Sequence, residues 1–92
     1  MTYLTKNYNR KKISFKHGKG SYLYSKDNKK YLDFVQGIAV NSLGHAHPKL
    51  VKTINNQSKK LWHVSNAFEI PEGEKLAKKK WQKTFADFVM FQ

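Results

Sequence analysis

YLDFVQGIAVNSLGHAHP, residues 31–48, is the stretch on which the reading of this chain turns. It opens on the strand formers Tyr31, Leu32 and Phe34 and passes through an apolar segment at 37–40 that begins with a glycine. It closes on Gly44, the pair His45 and His47, and Pro48. Strand formers, then a glycine-punctuated connection, then a proline where a first helical turn would start, read as strand, loop and helix in succession. Composition alone would not produce that order.

Upstream of it, Ile13 with Phe15, then Tyr22, Leu23 and Tyr24, then Tyr31, Leu32 and Phe34 form three short runs rich in β-formers. His17-Gly18-Lys19-Gly20 and Lys26-Asp27-Asn28-Lys29 separate them. Gly18 and Gly20 tolerate positive φ, and Asp27-Asn28 are residue types that accept a left-handed turn, so the block predicts a three-stranded antiparallel meander. Downstream, Leu50, Val51, Ile54, Ser58 and Leu61 follow Pro48 at helical spacing and predict a helix over about 48–61 whose apolar stripe packs on Tyr22, Leu23, Leu32 and Phe34 of the meander. A second helix is expected over about 72–83, behind Pro71, with Glu72 and Glu74 at the positive end of its dipole. The run at 85–91 reads as a buried strand, and residues 1–12 as a polar, basic arm. The spans 13–83 and 84–92 are then the small-domain segment with its linking helices and the first strand of a further domain.

The words GIAVN (37–41), LGHAHP (43–48) and HVSNAF (63–68) resemble the N-terminal region of the class III pyridoxal-phosphate aminotransferases, acetylornithine aminotransferases most closely, and the resemblance runs from about 13 to 92. It implies an α+β fragment of the α/β fold-type I pyridoxal-phosphate transferases: the three-stranded meander, two helices and one terminal strand. It also implies amino transfer between N-acetylornithine, or a related ω-amino acid, and 2-oxoglutarate in arginine biosynthesis, by a cytoplasmic homodimer. In the enzymes resembled, the segments matching 37–41 and 65–68 come close to the active site at the dimer interface, which puts Ile38 and Asn66 nearest the substrate. The family's Schiff-base lysine, pyridinium aspartate and phosphate-binding turn match no residue here. The resemblance therefore implies no cofactor-binding and no catalytic residue in the chain, and an inactive fragment. Lys80 departs from the pattern, standing where the stripe through Leu76 calls for an apolar side chain.

Ninety-two residues make at most one small domain, and a chain of that size buries only roughly 60% of the surface it exposes when unfolded. No cysteine is present, which excludes disulfides and thiolate metal sites. No apolar run approaches a membrane span, and the first dozen residues lack the apolar core of a signal peptide. The net charge of +12 supports a different class of reading, a basic nucleic-acid-binding or non-catalytic interaction module. Nine of the eighteen basic residues lie in the first thirty positions, interleaved with Phe15, Tyr22 and Tyr24, on which bases could stack. Against it, only Arg10 carries the bidentate fork that phosphate and groove recognition favours, the other cations being lysines. No specific nucleic-acid or membrane partner is expected. His45 and His47 alone do not define a metal site, so Gly44 is expected to turn the chain while His47 and Pro48 open the helix. His63 has no activated nucleophile beside it.

Overall fold

Three strands form as the alternation of β-formers requires: β1 (Phe15–Lys19), β2 (Tyr22–Ser25) and β3 (Lys30–Leu32), each antiparallel to the next in the order β1-β2-β3. They belong to a computed structural model that describes residues 2–92 and divides into two units, Met1–Asn56 and Gln57–Gln92. The first connection is tighter than the sequence suggested. His17, Gly18 and Lys19 stay in β1, opposite Tyr24, Leu23 and Tyr22, so that Gly20 and Ser21 alone make the turn. Of the two glycines only Gly20 takes a positive φ, 57°. Cross-strand stacking explains the longer strand: the rings of His17 and Tyr24 lie 4.4 Å apart and 8° from parallel, a contact that strand pairing alone makes available. A register shift between Phe15 and His17 puts a bulge at Lys16.

The second connection turns at Asn28, φ 63°. Ser25, 2% exposed, holds it: its N–H donates to Lys29 O at 2.9 Å, its hydroxyl accepts from Lys29 N at 3.1 Å, and it donates to Asp27 Oδ1. β3 ends at Leu32, before the Asp33 and Phe34 that the YLDF run appeared to include. The Asp33 N–H still reaches back to Ser21 O at 2.8 Å, but its carboxylate turns forward and takes the chain out of the sheet.

Having left the sheet, the chain enters α1 (Gln36–Ala39), a four-residue turn that the sequence did not announce. Gln36, Gly37, Ile38 and Ala39 all have positive φ, between 54° and 65°, so the turn is left-handed. For an L residue that conformation costs roughly 1–2 kcal/mol, and β-branched Ile38 is among the least suited to it.

α2 (Pro48–Gln57) starts at the predicted proline and stops short of the expected 61. Its end is unwound by side chains that bond across the next turn: Gln57 Nε2 donates to Leu61 O at 2.8 Å and Trp62 Nε1 to Ser58 O at 2.6 Å. The expected packing of its stripe on the meander does not occur. Leu50, Val51 and Ile54 are 46, 42 and 65% exposed, as is Leu61 beyond the helix at 55%. Among the described residues no hydrophobic side chain is buried. The reason is geometric: a three-stranded sheet and a ten-residue helix offer each other too little surface to exclude water.

In the second unit α3 (Pro71–Lys83) forms as read, with Pro71 in the first turn beside Glu72 and Glu74, and Lys80 and Lys83 in the last. The expected strand at 85–91 is absent. An extended segment becomes a strand only with a partner for its N–H and C=O groups, and none of the strand ladders or bridges among the described residues includes this run. Phe85 and Phe88 are accordingly exposed, while Phe91 comes back beside Gly73 of α3. No described helix is long and apolar enough to cross a membrane.

Candidate functional site

Ile38 and Asn66 fall in different units. Ile38 sits in the left-handed turn with 86% of its surface exposed, flanked by Val35 and Val40, also exposed. Its display is a consequence of the backbone. Ile38 N and Ala39 N both donate to Val35 O at 3.0 Å, and Val40 N and Asn41 N to Gln36 O at 3.0 and 3.2 Å, a knot that turns the side chain outward.

The turn is anchored at its start by Asp33. Oδ1 accepts from the N–H groups of Val35 at 3.0 Å and Gln36 at 2.9 Å, and Oδ2 lies 2.6 Å from His45 Nε2. The Asp33 side chain is 6% exposed and that of His45 20%. The Gln36 N–H, then the His45 ring, then the Val35 N–H hold the Asp33 carboxyl below its ordinary value of 3.8 despite the opposing effect of burial. An ionised carboxylate only accepts, so Nε2 of His45 is the donor in this contact. His45 is itself fixed through its backbone, which exchanges two bonds with Gly20, N to O at 2.8 Å and O from N at 3.0 Å. Two glycines make that approach feasible. A Cβ on Gly18 would come within 2.5 Å of His45 Cγ, and one on Gly44, whose φ is 80°, within 2.8 Å of Gly20 O. Asp33, His45, Val35, Gly37 and Asn41 line one side of an open concavity whose apolar side is Phe15, Leu23 and Tyr31.

His47 takes a separate path: its Nδ1 accepts from Lys49 N at 3.2 Å and its carbonyl accepts from Val51 N at 2.9 Å, opening α2 as expected. The two histidines of the GHAHP word thus diverge. No group of three His, Cys, Asp or Glu side chains converges among the described residues. The Asp33–His45 pair is the feature that reading the sequence missed, because Asp33 was assigned to the strand. The signal was present in Gly44 beside His45 and in Gly18, a small residue in a strand.

Asn66 lies on the rim of a second concavity, formed with Phe68, Ile70, Gly73, Ala77 and Phe91. It comes directly after Ser65, whose φ is 71° and whose hydroxyl accepts from Ala67 N at 3.2 Å. Its Nδ2 donates to Phe91 O at 3.4 Å, so the amide ties the terminal segment rather than capping α3, whose first turn starts from Ile70 without a side-chain cap. The aromatics offered for base stacking have intramolecular partners: Phe15 meets Tyr31 edge-on at 5.6 Å, Tyr24 stacks on His17, and Lys30 Nζ sits 4.0 Å above the Tyr22 ring.

With this geometry in place, likeness to known proteins becomes informative. The profile of the family described as Aminotransferase class-III matches residues 3–92. An acetylornithine aminotransferase of Brucella melitensis is 52% identical over 84 residues, 91% of this chain and 21% of that protein. One of Aquifex aeolicus is 57% identical over 79 residues, 86% of this chain and 21% of that protein. Among solved structures, the ornithine delta-aminotransferase of Plasmodium falciparum superposes with a TM-score of 0.83 at 28% identity, covering 94% of this chain and 23% of that one. The chain spans about a fifth of the length of these relatives.

Proposed function

The chain belongs to the class III aminotransferases, and from that premise we propose that it forms the N-terminal part of an enzyme moving an amino group between N-acetylornithine, or a related ω-amino acid, and 2-oxoglutarate. The reading includes a place in arginine biosynthesis, a homodimer and a cytoplasmic location. Identity of 52–57% with acetylornithine aminotransferases across most of the chain is the observation that carries it. Within that reading Ile38 and Asn66 stand nearest the substrate. Exposure of Ile38 supports this, since an apolar side chain held outward by a left-handed turn is available to a ligand in a way a core residue is not. Residues 1–12 act as an arm, 13–83 as the small-domain segment and 84–92 as the beginning of the cofactor-binding domain.

Pyridoxal phosphate is the cofactor this activity implies, and the residues present do not fit it. Its aldehyde needs a lysine amine kept partly deprotonated by an apolar setting, whereas every lysine of the chain is exposed. Among the described residues neither of the longer helices offers at its N-terminus the small-residue turn that cradles a phosphate: α2 opens on His47-Pro48 and α3 on Ile70-Pro71. These 92 residues by themselves are expected to be inactive, which absorbance of the chain mixed with pyridoxal phosphate, followed for a one-to-one adduct on a single lysine, checks.

The test is a chimaera. The 79-residue stretch of this chain that matches the Aquifex aeolicus acetylornithine aminotransferase replaces its counterpart there, and turnover is measured with N-acetylornithine, ornithine and 4-aminobutyrate. Retained turnover with N-acetylornithine as the preferred donor is expected. A folded, cofactor-loaded chimaera without transamination of any of the three overturns the reading.

A further inference from the structure

We infer that Asp33 and His45 are a positioning pair that holds the left-handed turn Gln36–Ala39, and with it Ile38, in the conformation the loop presents. As a statement about substrate this rests on the proposal that the loop faces it; as a statement about the loop it stands on geometry alone.

A turn with positive φ at four successive positions, three of them carrying side chains, relaxes toward the right-handed region unless its ends are fixed. Its interior bonds do not fix them. Val35 O accepts from Ile38 and Ala39 and Gln36 O from Val40 and Asn41, which closes the knot but leaves the N–H groups of Val35 and Gln36 to be met from outside it. Asp33 Oδ1 takes both. A carboxylate on a free side chain would be a weak anchor, because it would swing with its own torsions. The other oxygen removes that freedom by meeting His45 Nε2 at 2.6 Å, and His45 in turn is bonded through its backbone to Gly20 and packed where Gly18 has no side chain. An unbroken series of contacts therefore runs from the β1–β2 turn through His45 and Asp33 to Val35, Gln36 and Ile38. The pair touches no reacting atom; it acts through the loop.

The experiment reads amide hydrogen exchange in the 92-residue chain and kinetics in the chimaera. In H45L, which removes the donor, exchange at Val35 and Gln36 is expected to speed up by about tenfold, the scale of one lost hydrogen bond to a charged group, while the β1–β2 amides keep their protection. In H45Q, whose side-chain amide places a donor near the position of Nε2, most of that protection returns. D33N keeps one acceptor but sets an amide donor against Nε2, and a smaller rise is expected; it also serves if H45L loses the hairpin. Unchanged exchange at Val35 and Gln36 in H45L and D33N, with the hairpin intact, overturns the pair. In the chimaera H45L is expected to raise KM for the amino donor severalfold with kcat within about twofold, since positioning of a binding residue weakens ground-state and transition-state contacts alike, and H45Q to restore it. Faster exchange without a change in KM leaves the pair standing and removes the loop from the substrate.

Discussion

At Asp33 one side chain settles three things at once: where β3 ends, how the left-handed turn begins and which nitrogen of His45 donates to it. The carboxyl is held below its ordinary value of 3.8, chiefly by the Gln36 N–H and the His45 ring. A depressed folded value means the bonds made by the charged form contribute fully above the unfolded value and are lost as pH falls through the lower folded one. Expected is a titration midpoint for the Asp33 Cγ resonance below 3.8, with the Val35 and Gln36 amide shifts tracking the same curve. A midpoint at or above 3.8, or amides that ignore it, contradicts the assignment. D33N should abolish that pH dependence of the two amides. Asp27 is depressed too, first by the Ser25 hydroxyl, and its separate resonance is the internal comparison.

Among the elements, the helices and the sheet obey different rules in this chain. α3 matches its sequence closely because its signals are local: a proline in the first turn, acids behind it and lysines at the far end. α2 keeps its start and loses its last turn to the side chains of Gln57 and Trp62, which compete for nearby carbonyls. The spacing of the apolar stripe of α2 marks it as a core face, yet the structure leaves that face open. At 65% exposure Ile54 has little to lose, and Ile54→Ala should change stability by no more than about 0.5 kcal/mol, helped by the higher helix propensity of alanine. Leu23→Ala should cost more, since Leu23 is half-buried on the face that β1 and β3 share. Urea unfolding of the two variants checks the order; a larger loss for Ile54→Ala would show α2 packed after all.

At the scale of the whole molecule a charge of +12 accompanies apolar side chains that are largely exposed among the described residues. With Phe15, Tyr22 and Tyr24 already in contact with Tyr31, Lys30 and His17, nucleic-acid affinity should be sequence-independent and fall by orders of magnitude between about 50 and 200 mM salt, as counterions compete for the lysines. Fluorescence anisotropy with duplex and single-stranded probes measures this, and sequence-selective binding that survives the higher salt would restore the binding-module reading. The sequence by itself determined the meander, the starts of α2 and α3, the turns at Gly20 and Asn28 and the family, because each rests on neighbours within a few positions: β-formers in runs, prolines in first turns, glycine and asparagine where φ is positive. The tertiary structure alone decided what depends on a partner distant in the chain. Asp33 left the strand because His45, twelve residues on, offered a donor and Gly18 the room for it. Residues 85–91 form no strand because a run of β-formers does not carry its own pairing partner, and α2 stayed uncovered because amphipathic spacing names the face a helix would bury without supplying the surface that buries it.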